Sequence, residues 1–206
     1  MSRYRGPKNR IARKFGANIF ARARNPLLHK PNPPGAHGGK RKKKSDYGLQ
    51  LDEKQKLKAV FGMLTHKQLL GTYQKALQKP GNAAHNLLAM LECRLDNIVY
   101  RLRFSGSIFG AQQLVSHGHI LVNGKKVDKR SFQVKPGMVV SLKVKTQKNI
   151  NVKMALEQTR REIPEYLSLD EANFSGKLEI VPEHDQIPLP ITIHVPLVCE
   201  FLAHTC

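Results

Sequence analysis

The stretch that decides the fold runs from Arg94 to Lys145 and reads RLDNIVYRLRFSGSIFGAQQLVSHGHILVNGKKVDKRSFQVKPGMVVSLKVK. Its first third carries apolar residues at helical spacing. The remainder alternates around Asn123-Gly124 and Pro136-Gly137, which are typical of turns between strands. The stretch holds ten Lys or Arg residues against two Asp residues. It therefore predicts two short helices followed by a small hairpin sheet with a basic surface.

Cap residues mark the two predicted helices. The first helix buries one face that includes Leu95 and Leu102. We expect four side chains on or beside its open faces: Arg94, Asn97, Arg101 and Arg103. Ser107 is a suitable N-cap for a second helix over 108–117, and Gly118 is a suitable left-handed residue after it. The start of that helix would present backbone N–H groups to a phosphate.

The predicted sheet begins with a hairpin. Ile120–Val122 and Lys126-Val127 flank Asn123-Gly124, a dipeptide typical of two-residue hairpin turns. After Pro136-Gly137, the alternation of Val140, Leu142 and Val144 predicts a further strand with lysines on its other face.

The charge of the chain indicates a polyanionic partner. Its 206 residues carry a formal net charge of +20, far more than solubility requires. Residues 1–45 hold 14 basic and no acidic residues, whereas residues 154–206 carry a net charge of −6. Nucleic acid is the usual partner of so basic a chain. We expect the acidic segment to face away from it or to meet a basic protein.

Cysteine usage and hydropathy exclude several classes of protein. Cys93, Cys199 and Cys206 are too few and too widely spaced for a disulfide framework or a structural zinc site. No apolar run approaches the ~18 residues of a membrane span, and the amino terminus lacks the apolar core of a secretory signal. We therefore expect no metal, no cofactor, no membrane and a reducing compartment.

Residues 1–45 are too polar and too rich in Gly and Pro to build a core alone. We expect an extended or irregular arm, in which only Ile11, Phe15 and Ile19–Phe20 could anchor a short helix. Such an arm is typical of segments that follow phosphates. The alternatives are a solvated charge run, an organellar transit peptide and a nuclear signal at Lys40–Lys44. The candidate phosphate contacts are Arg3, Arg5, Lys8, Arg10, Arg13, Lys14, Lys40, Arg41, Lys42, Lys43 and Lys44.

Three amphipathic helices are predicted from Tyr47 to about Glu92, where apolar residues recur at helical spacing. Asp52-Glu53 would suit the positive first turn of the first helix. Thr65 is a suitable N-cap for the second helix and Asn82 for the third. The apolar stripes of the three helices predict that they pack on one another.

The acidic segment 154–206 is harder to assign. Its patterns predict, in order, a helix from Met154 through Arg160-Arg161 to Pro164, an edge strand over 165–170, a strand over 177–181, a short strand over 191–195 and a last helical turn over Val198–Ala203.

These predictions combine into an α+β fold. The basic arm occupies 1–45, and a helical domain over 46–93 is completed by 154–206. A small RNA-binding domain over 94–153, built from a helix-turn-helix and a hairpin sheet, is inserted between the two parts of the helical domain.

RLDNIVYRL, QLVSHGHILVNGKKV and the Pro-Gly before a strand resemble a known small RNA-binding domain. It is shared by small-subunit ribosomal protein S-four, pseudouridine synthases, a class of tyrosyl-tRNA synthetases and heat-shock RNA-binding proteins. MSRYRGP, SDYGLQLDEKQKLK and PGNAAHNLLAMLECRLDN extend the resemblance to the bacterial ribosomal protein S-four family over nearly the whole chain, most weakly after Arg161.

The resemblance implies a non-enzymatic constituent of the small ribosomal subunit in a bacterial cytoplasm or a plastid-like compartment. It implies binding to small-subunit rRNA at a helix junction of the 5′ domain, nucleation of assembly and support of decoding accuracy. It also implies a neighbouring protein of the S-five type at the C-terminal part, and the path by which mRNA enters nearby. The positions that match the family's RNA contacts are Tyr47, Gln50, Arg94, Asn97, Ser107, Gln113, Ser116, His117, His119, Asn123, Lys125 and Lys126.

The sequence departs from the family pattern in two places. Ile108 and Gln112 stand where relatives commonly carry arginines at the start of a helix, so phosphate contacts are not carried over to them. Many relatives hold zinc with four cysteines in the arm. This arm has no cysteine, so the resemblance implies a zinc-free version whose order depends on RNA.

The sequence offers three alternatives to RNA binding by a structural protein: a histidine site, an RNA-modifying enzyme and a translational regulator. His117 and His119 have no Cys, carboxylate or third His nearby in the sequence, which favours RNA or backbone contacts over metal binding or acid–base catalysis. An RNA-modifying enzyme that uses the small domain as an accessory would need a further domain of roughly 200 residues. A translational regulator that binds structured mRNA is the remaining alternative.

Overall fold

The computed structural model describes residues 4–22, 24–40, 43–158 and 161–205, and the chain divides into two compact units. Unit 1 contains the described residues up to Leu87 and those from Leu189 onward. Unit 2 runs from Leu88 to Pro188 and is therefore an insertion in unit 1. Within the described residues, no helix is long and apolar enough to cross a membrane.

Helices and a single antiparallel sheet make up the described structure. In chain order the elements are α1 (Lys8–Phe15), α2 (Asp46–Val60), α3 (His66–Leu77), α4 (Ala83–Glu92), α5 (Leu95–Arg101), α6 (Ile108–Ser116), β1 (Ile120–Val122), β2 (Lys125–Lys126), β3 (Val139–Leu142), α7 (Val144–Gln147), α8 (Ile150–Gln158), β4 (Leu167–Asp170), β5 (Ser175–Leu178), a 3-10 helix (His184–Gln186) and α9 (Val195–Ala203). The α+β class predicted from the sequence is confirmed.

Side-chain caps start the helices of unit 1. Ser45 accepts a hydrogen bond from Gly48 N at 3.3 Å, so α2 begins at Asp46 and places Asp52 in mid-helix, not in its first turn. Thr65 and Gln68 form a capping box at the start of α3. Asn82 accepts from Ala84 N at 2.8 Å before α4. The predicted caps at Thr65 and Asn82 are thus confirmed.

The core of unit 1 joins the two ends of the chain. Helix α9 packs against α2 and α3, and it buries Val198 and Leu202. Leu57 of α2 and Leu69 of α3 are buried with them in unit 1.

The arm contains more structure than the sequence indicated. Helix α1 ends at Phe15. Gly16 follows it with a φ of 66°, the left-handed conformation that glycine adopts without strain. Ile19 and Phe20 are buried, although they follow α1 and do not belong to it. The short helix that the sequence allowed within the arm is therefore present as α1.

The sheet of unit 2 has the strand order β2-β1-β3-β5-β4, and all neighbours are antiparallel. Asn123 and Gly124 have φ angles of 47° and 78° and make the predicted hairpin turn between β1 and β2. Helices α5 and α6 pack on each other, and Ile98, Val115 and Val140 are among the residues buried in the core of unit 2.

The carboxyl-terminal part of the sheet corrects the predicted domain organisation. Strands β4 and β5 extend the sheet of unit 2, so residues 154–188 complete the inserted domain and not the helical one. Of the acidic segment, the described residues from Leu189 onward belong to unit 1. By compactness unit 2 begins at Leu88, inside α4, a few residues before the predicted boundary at 93/94. The edge strand expected over 165–170 is present as β4.

Three local predictions also need correction. Strand β3 ends at Leu142, and Val144 begins α7 with its side chain exposed. The helix expected to reach Pro164 ends at Gln158 where the described part stops, and residues 159–160 lie outside the described residues. Residues 191–195 form no strand: Val195 is the first residue of α9, and Ile193 is buried in unit 1 outside any regular element.

Candidate nucleic-acid interface

The start of α6 is built by Ser107. Its hydroxyl oxygen accepts a hydrogen bond from Gly110 N at 3.2 Å, which confirms the predicted N-cap. The side chain is half-buried, and Ile108 beside it is buried. Ser107 therefore has a structural role, and any phosphate bound here would meet backbone N–H groups of the first turn.

The hairpin presents cations to solvent. Lys125 and Lys126 form the short strand β2, and both side chains are exposed. Asn123 is exposed as well, but its side-chain oxygen accepts a hydrogen bond from Val139 N at 2.8 Å and fixes the turn on β3. The stem of Lys126 lies directly against Gly118, where even a methyl group would collide with it.

The outer face of α6 carries polar side chains next to this hairpin in sequence. Gln113, Ser116 and His117 are exposed, while His119 is half-buried. Ser116 donates to the carbonyl oxygen of Gln112 at 2.7 Å, and His119 Nδ1 lies 2.9 Å from the Thr146 hydroxyl. The rings of His117 and His119 lie 6.1 Å apart.

Arg94 and Asn97 do not lie on open faces, which corrects the sequence prediction. They are only 5% and 3% exposed. Arg94 forms a bidentate ion pair with Asp96, at 3.1 and 2.9 Å, and Asn97 donates to the carbonyl oxygen of Glu92 at 3.2 Å. Both side chains therefore hold the start of α5 and are not accessible to RNA in this conformation.

A second buried ion pair lies at the end of α4. Glu92 is fully buried and accepts hydrogen bonds from Arg101 at 2.5 and 3.2 Å and from the Tyr166 hydroxyl at 2.6 Å. Burial would lower the pKa of Arg101, but the charge of Glu92 raises it. Burial, together with Glu92, raises the pKa of Tyr166. Arg101 was expected on an open face, and the structure places it in this network instead.

In unit 1, the two predicted contacts of α2 differ in accessibility. Tyr47 is 64% exposed, with its ring 5.4 Å from that of Phe201, so one face of the phenol remains open for stacking. Gln50 is half-buried and donates to Glu200 at 3.1 Å. Its amide is therefore already engaged within the protein.

A basic cluster in unit 1 escaped the sequence analysis. Lys54 and Lys58 lie one turn apart on α2, and His66 is the first residue of α3. Lys54 Nζ lies 3.7 Å from the centre of the Phe201 ring. Burial lowers the pKa of each of the three groups, and the two lysines lower that of His66 further. The four-residue spacing of the two lysines places them on one face of α2 and could have predicted the cluster. The apolar stripe of the same helix was the stronger pattern.

The arm residues fall into three groups. Arg13 donates to the carbonyl oxygens of Lys30 and Asn32 at 3.0 Å, and Lys14 and Lys44 pair with Asp52 at 2.9 and 2.5 Å. Burial would raise the pKa of Asp52, but hydrogen bonds from the two lysines lower it. Of the remaining candidate contacts, Arg5, Arg10, Lys40 and Lys43 are exposed and Lys8 is half-buried. Arg3, Arg41 and Lys42 lie outside the described residues.

Two family models match adjacent segments of the chain. Residues 3–92 match the family described as "Ribosomal protein S4/S9 N-terminal domain", and residues 93–140 match "S4 domain". A protein of Protochlamydia amoebophila named "Small ribosomal subunit protein uS4" is 63% identical over 205 residues, covering 100% of both chains. Proteins of the same name in Chlamydia trachomatis serovar D and Chlamydia pneumoniae are 62% and 58% identical over 207 residues, covering 99% of each chain.

The chain belongs to the uS4 family. The resemblance to ribosomal protein S-four seen in the sequence is therefore confirmed. Proteins of the uS4 family are structural, non-enzymatic proteins of the small ribosomal subunit, and the S4 domain is an RNA-binding domain. The individual RNA contacts named above stay predictions.

Gln112, one of the departures from the uS4 pattern, is buried in unit 2. Its side chain donates to Asp96 at 3.3 Å and accepts a hydrogen bond from Arg130 at 3.2 Å. It thereby connects α6 to the ion pair of Arg94 and to the loop that carries Arg130. Gln112 is a structural residue of this uS4 chain.

The cysteine-free arm of this uS4 chain is held by hydrogen bonds. Arg22 donates to Asn9 at 2.8 Å and Arg24 donates to His29 at 3.0 Å. Together with Arg13 and Lys30, these residues line a cavity of about 520 Å³. Among the described residues, no three His, Cys, Asp or Glu side chains converge as the ligands of a metal ion would.

Proposed function

We propose that this uS4 chain is a structural constituent of the small ribosomal subunit that binds small-subunit rRNA directly. The observation that carries the proposal is the surface of unit 2 formed by exposed side chains of α6 and of the β1–β2 hairpin. None of these side chains is acidic. They are Gln113, Ser116, His117, Asn123, Lys125 and Lys126.

The chemistry of this surface suits folded RNA. Lysines at a hairpin neutralise phosphates without demanding a fixed geometry, and amide, hydroxyl and imidazole groups bond to 2′-hydroxyl and base edges. Asn123 is held by its hydrogen bond to Val139 N, so the turn that carries the two lysines keeps its shape before RNA arrives. We call this surface of unit 2 the hairpin surface.

Unit 1, which includes the arm, would add a second set of contacts. Tyr47 offers an open aromatic face, Lys54 is buried and Lys58 half-buried, and Arg5 and Arg10 are exposed on the arm. A phosphate beside Lys54 and Lys58 would offset the cost of their burial, since each has lost part of its hydration.

We further propose that the chain binds at a helix junction in the 5′ domain of the rRNA, nucleates subunit assembly and supports decoding accuracy. Its C-terminal part would meet a neighbouring protein of the S-five type near the path by which mRNA enters. The resemblance to the family supports these finer roles. The same family membership supports a location on the ribosome in the cytoplasm of a bacterium.

Footprinting of the purified chain on naked small-subunit rRNA tests the proposal. We expect hydroxyl-radical protection confined to one helix junction of the 5′ domain at nanomolar protein concentration. A chain lacking the exposed charges of the hairpin surface serves as the comparison. Absence of protection, or equal protection of unrelated structured RNA, would contradict the proposal.

A further inference from the structure

Unit 2 contains a cavity of about 240 Å³ lined by residues of α6, of the turn before it and of the start of α8. Its apolar lining is provided by Phe104, Leu114 and Val152. Its polar side chains are Ser105, Gln113, His117, His119, Asn149 and Asn151. Three of these polar residues were singled out in the sequence as RNA contacts, whereas Asn149 and Asn151 were not.

The lining favours a neutral, planar ligand over a phosphate. Among the described residues, no Lys, Arg, Asp or Glu side chain lines the cavity, so an anion would find no counter-charge. Phe104 and Val152 are buried and give an apolar floor. The amides of Gln113 and Asn149 can each donate and accept hydrogen bonds. A nucleobase combines apolar faces with an edge of donors and acceptors.

The size of the cavity limits the ligand to about one ring system. Sites for drug-sized ligands typically measure roughly 300–1,000 Å³, which is larger than this cavity. A single base with its sugar outside would fit that smaller volume, whereas a stacked pair of bases would not.

Hydrogen bonds inside unit 2 fix the walls. His119 is held by Thr146, and the Asn149 side chain accepts from Asn151 N at 3.0 Å. Arg161 donates to the carbonyl oxygen of Ser105 at 2.8 Å while its guanidinium lies 3.7 Å from the centre of the Tyr100 ring. The cavity is therefore formed before any ligand binds, which reduces the entropy lost on binding.

Exposed lysines border the lining residues in sequence. Lys148 precedes Asn149, and Lys153 follows Val152. These two exposed charges would attract a polyanion and would repel a basic neighbouring protein. We infer that the cavity holds one unpaired base of the small-subunit rRNA, flipped out of its strand, while the lysines contact the flanking phosphates. This inference rests on the proposed function.

The test fills the cavity with a larger side chain. Asn151→Trp introduces an indole at an exposed lining position of α8, and Met154→Trp introduces the same side chain at an exposed position of α8 that does not line the cavity. The full-length chain and both variants are bound to naked small-subunit rRNA. Each complex is probed with hydroxyl radicals for backbone protection and with dimethyl sulfate, kethoxal and carbodiimide for base reactivity.

We expect N151W to keep the backbone footprint but to lose protection of a single base. Its affinity should fall roughly 5- to 150-fold, the span expected from one lost base stack. M154W should match the unmodified chain, and the melting temperatures of all three proteins should agree.

Unchanged base protection and affinity in N151W would overturn the base site and leave the proposed function standing. No footprint from the unmodified chain would overturn the proposed function itself.

Discussion

Arginine and lysine take different places in unit 2. Arg94 is buried and Arg101 is half-buried, and each makes two hydrogen bonds to a buried carboxylate. Lys125 and Lys126 are exposed. The planar guanidinium matches a carboxylate in a fixed fork, while the lysine ammonium is strongly hydrated and mobile. The arginines therefore contribute to the fold, and the lysines are available to phosphates.

The sequence could not separate these two roles. Arg94 and Asn97 precede or begin a short helix, where helical spacing alone allowed an open position. Their burial depends on Asp96, Gln112 and the end of α4, which come together only through packing. Lys125 and Lys126 were predicted correctly as exposed because they follow Asn123-Gly124, and a tight turn leaves its flanking residues near solvent.

Glu92→Gln is predicted to destabilise unit 2 strongly. The substitution removes the charge that balances Arg101, and breaking a buried pair typically costs about 3–5 kcal/mol. Tyr166→Phe should cost less, about 1–3 kcal/mol, because it removes one hydrogen bond and leaves the ion pair intact. Urea unfolding of the full chain measures both. Equal losses for the two variants would contradict a dominant role of the charge.

Reversing the charge of Lys125 and Lys126 to Glu is predicted to weaken rRNA binding while leaving the free energy of unfolding nearly unchanged. Both side chains are exposed, and surface substitutions usually change stability by within about ±0.5 kcal/mol. Filter binding and thermal unfolding provide the two readouts. The Lys→Arg pair at the same positions keeps the charge and should keep the affinity. An equal loss of folding and binding in the Glu variant would make these residues structural.

His66 is predicted to make the stability of unit 1 sensitive to pH. Burial and the neighbouring lysines lower its pKa, so the folded state takes up the proton less readily than the unfolded chain. The stability from neutral His66 is fully present above about pH 6.5, the ordinary value. It is lost as the pH falls through the lowered pKa.

Urea unfolding at pH 7.5 and at successively lower values measures this effect. His66→Gln should flatten the dependence, whereas His204→Gln, at an exposed position after α9, should retain it. Identical pH profiles for the two variants would exclude His66 as the source.

At the scale of elements, local signals were the most informative. Thr65, Asn82 and Ser107 cap helices as expected because a cap is decided within four residues of chain. Strand pairing is not local. Nothing in residues 165–181 reveals that β5 pairs with β3, since that pairing depends on where a distant edge of the sheet lies open.

Ser107 allows the cap of α6 to be separated from RNA contact. Ser107→Asp keeps a good N-cap and should retain stability, whereas Ser107→Ala should lose about 0.5–2 kcal/mol of unfolding free energy. If the helix start faces phosphate, the Asp variant should bind rRNA more weakly than the Ala variant, because its charge repels the backbone. Denaturant unfolding and filter binding distinguish the two effects. Equal binding by both variants would place the phosphates elsewhere.

At the scale of the whole molecule, the net charge of +20 predicts strongly salt-dependent binding. Neutralising about six to ten phosphates of duplex DNA costs ~10³–10⁵ in affinity between 50 and 200 mM salt, with a gentler slope for single strands. We expect the affinity for small-subunit rRNA to fall steeply over this range in a filter-binding series. A flat response would contradict phosphate neutralisation as the main source of affinity.

The insertion of unit 2 between Leu87 and Leu189 has a consequence for synthesis of the chain. Unit 2 is contiguous, so all its residues are available once Pro188 has left the peptide tunnel. Unit 1 needs α9 to cover α2 and α3, and α9 is the last helix to be made. Domains usually fold in the order in which they are translated. The hairpin surface, which belongs to unit 2, can therefore be complete before α9 has been made and unit 1 can fold.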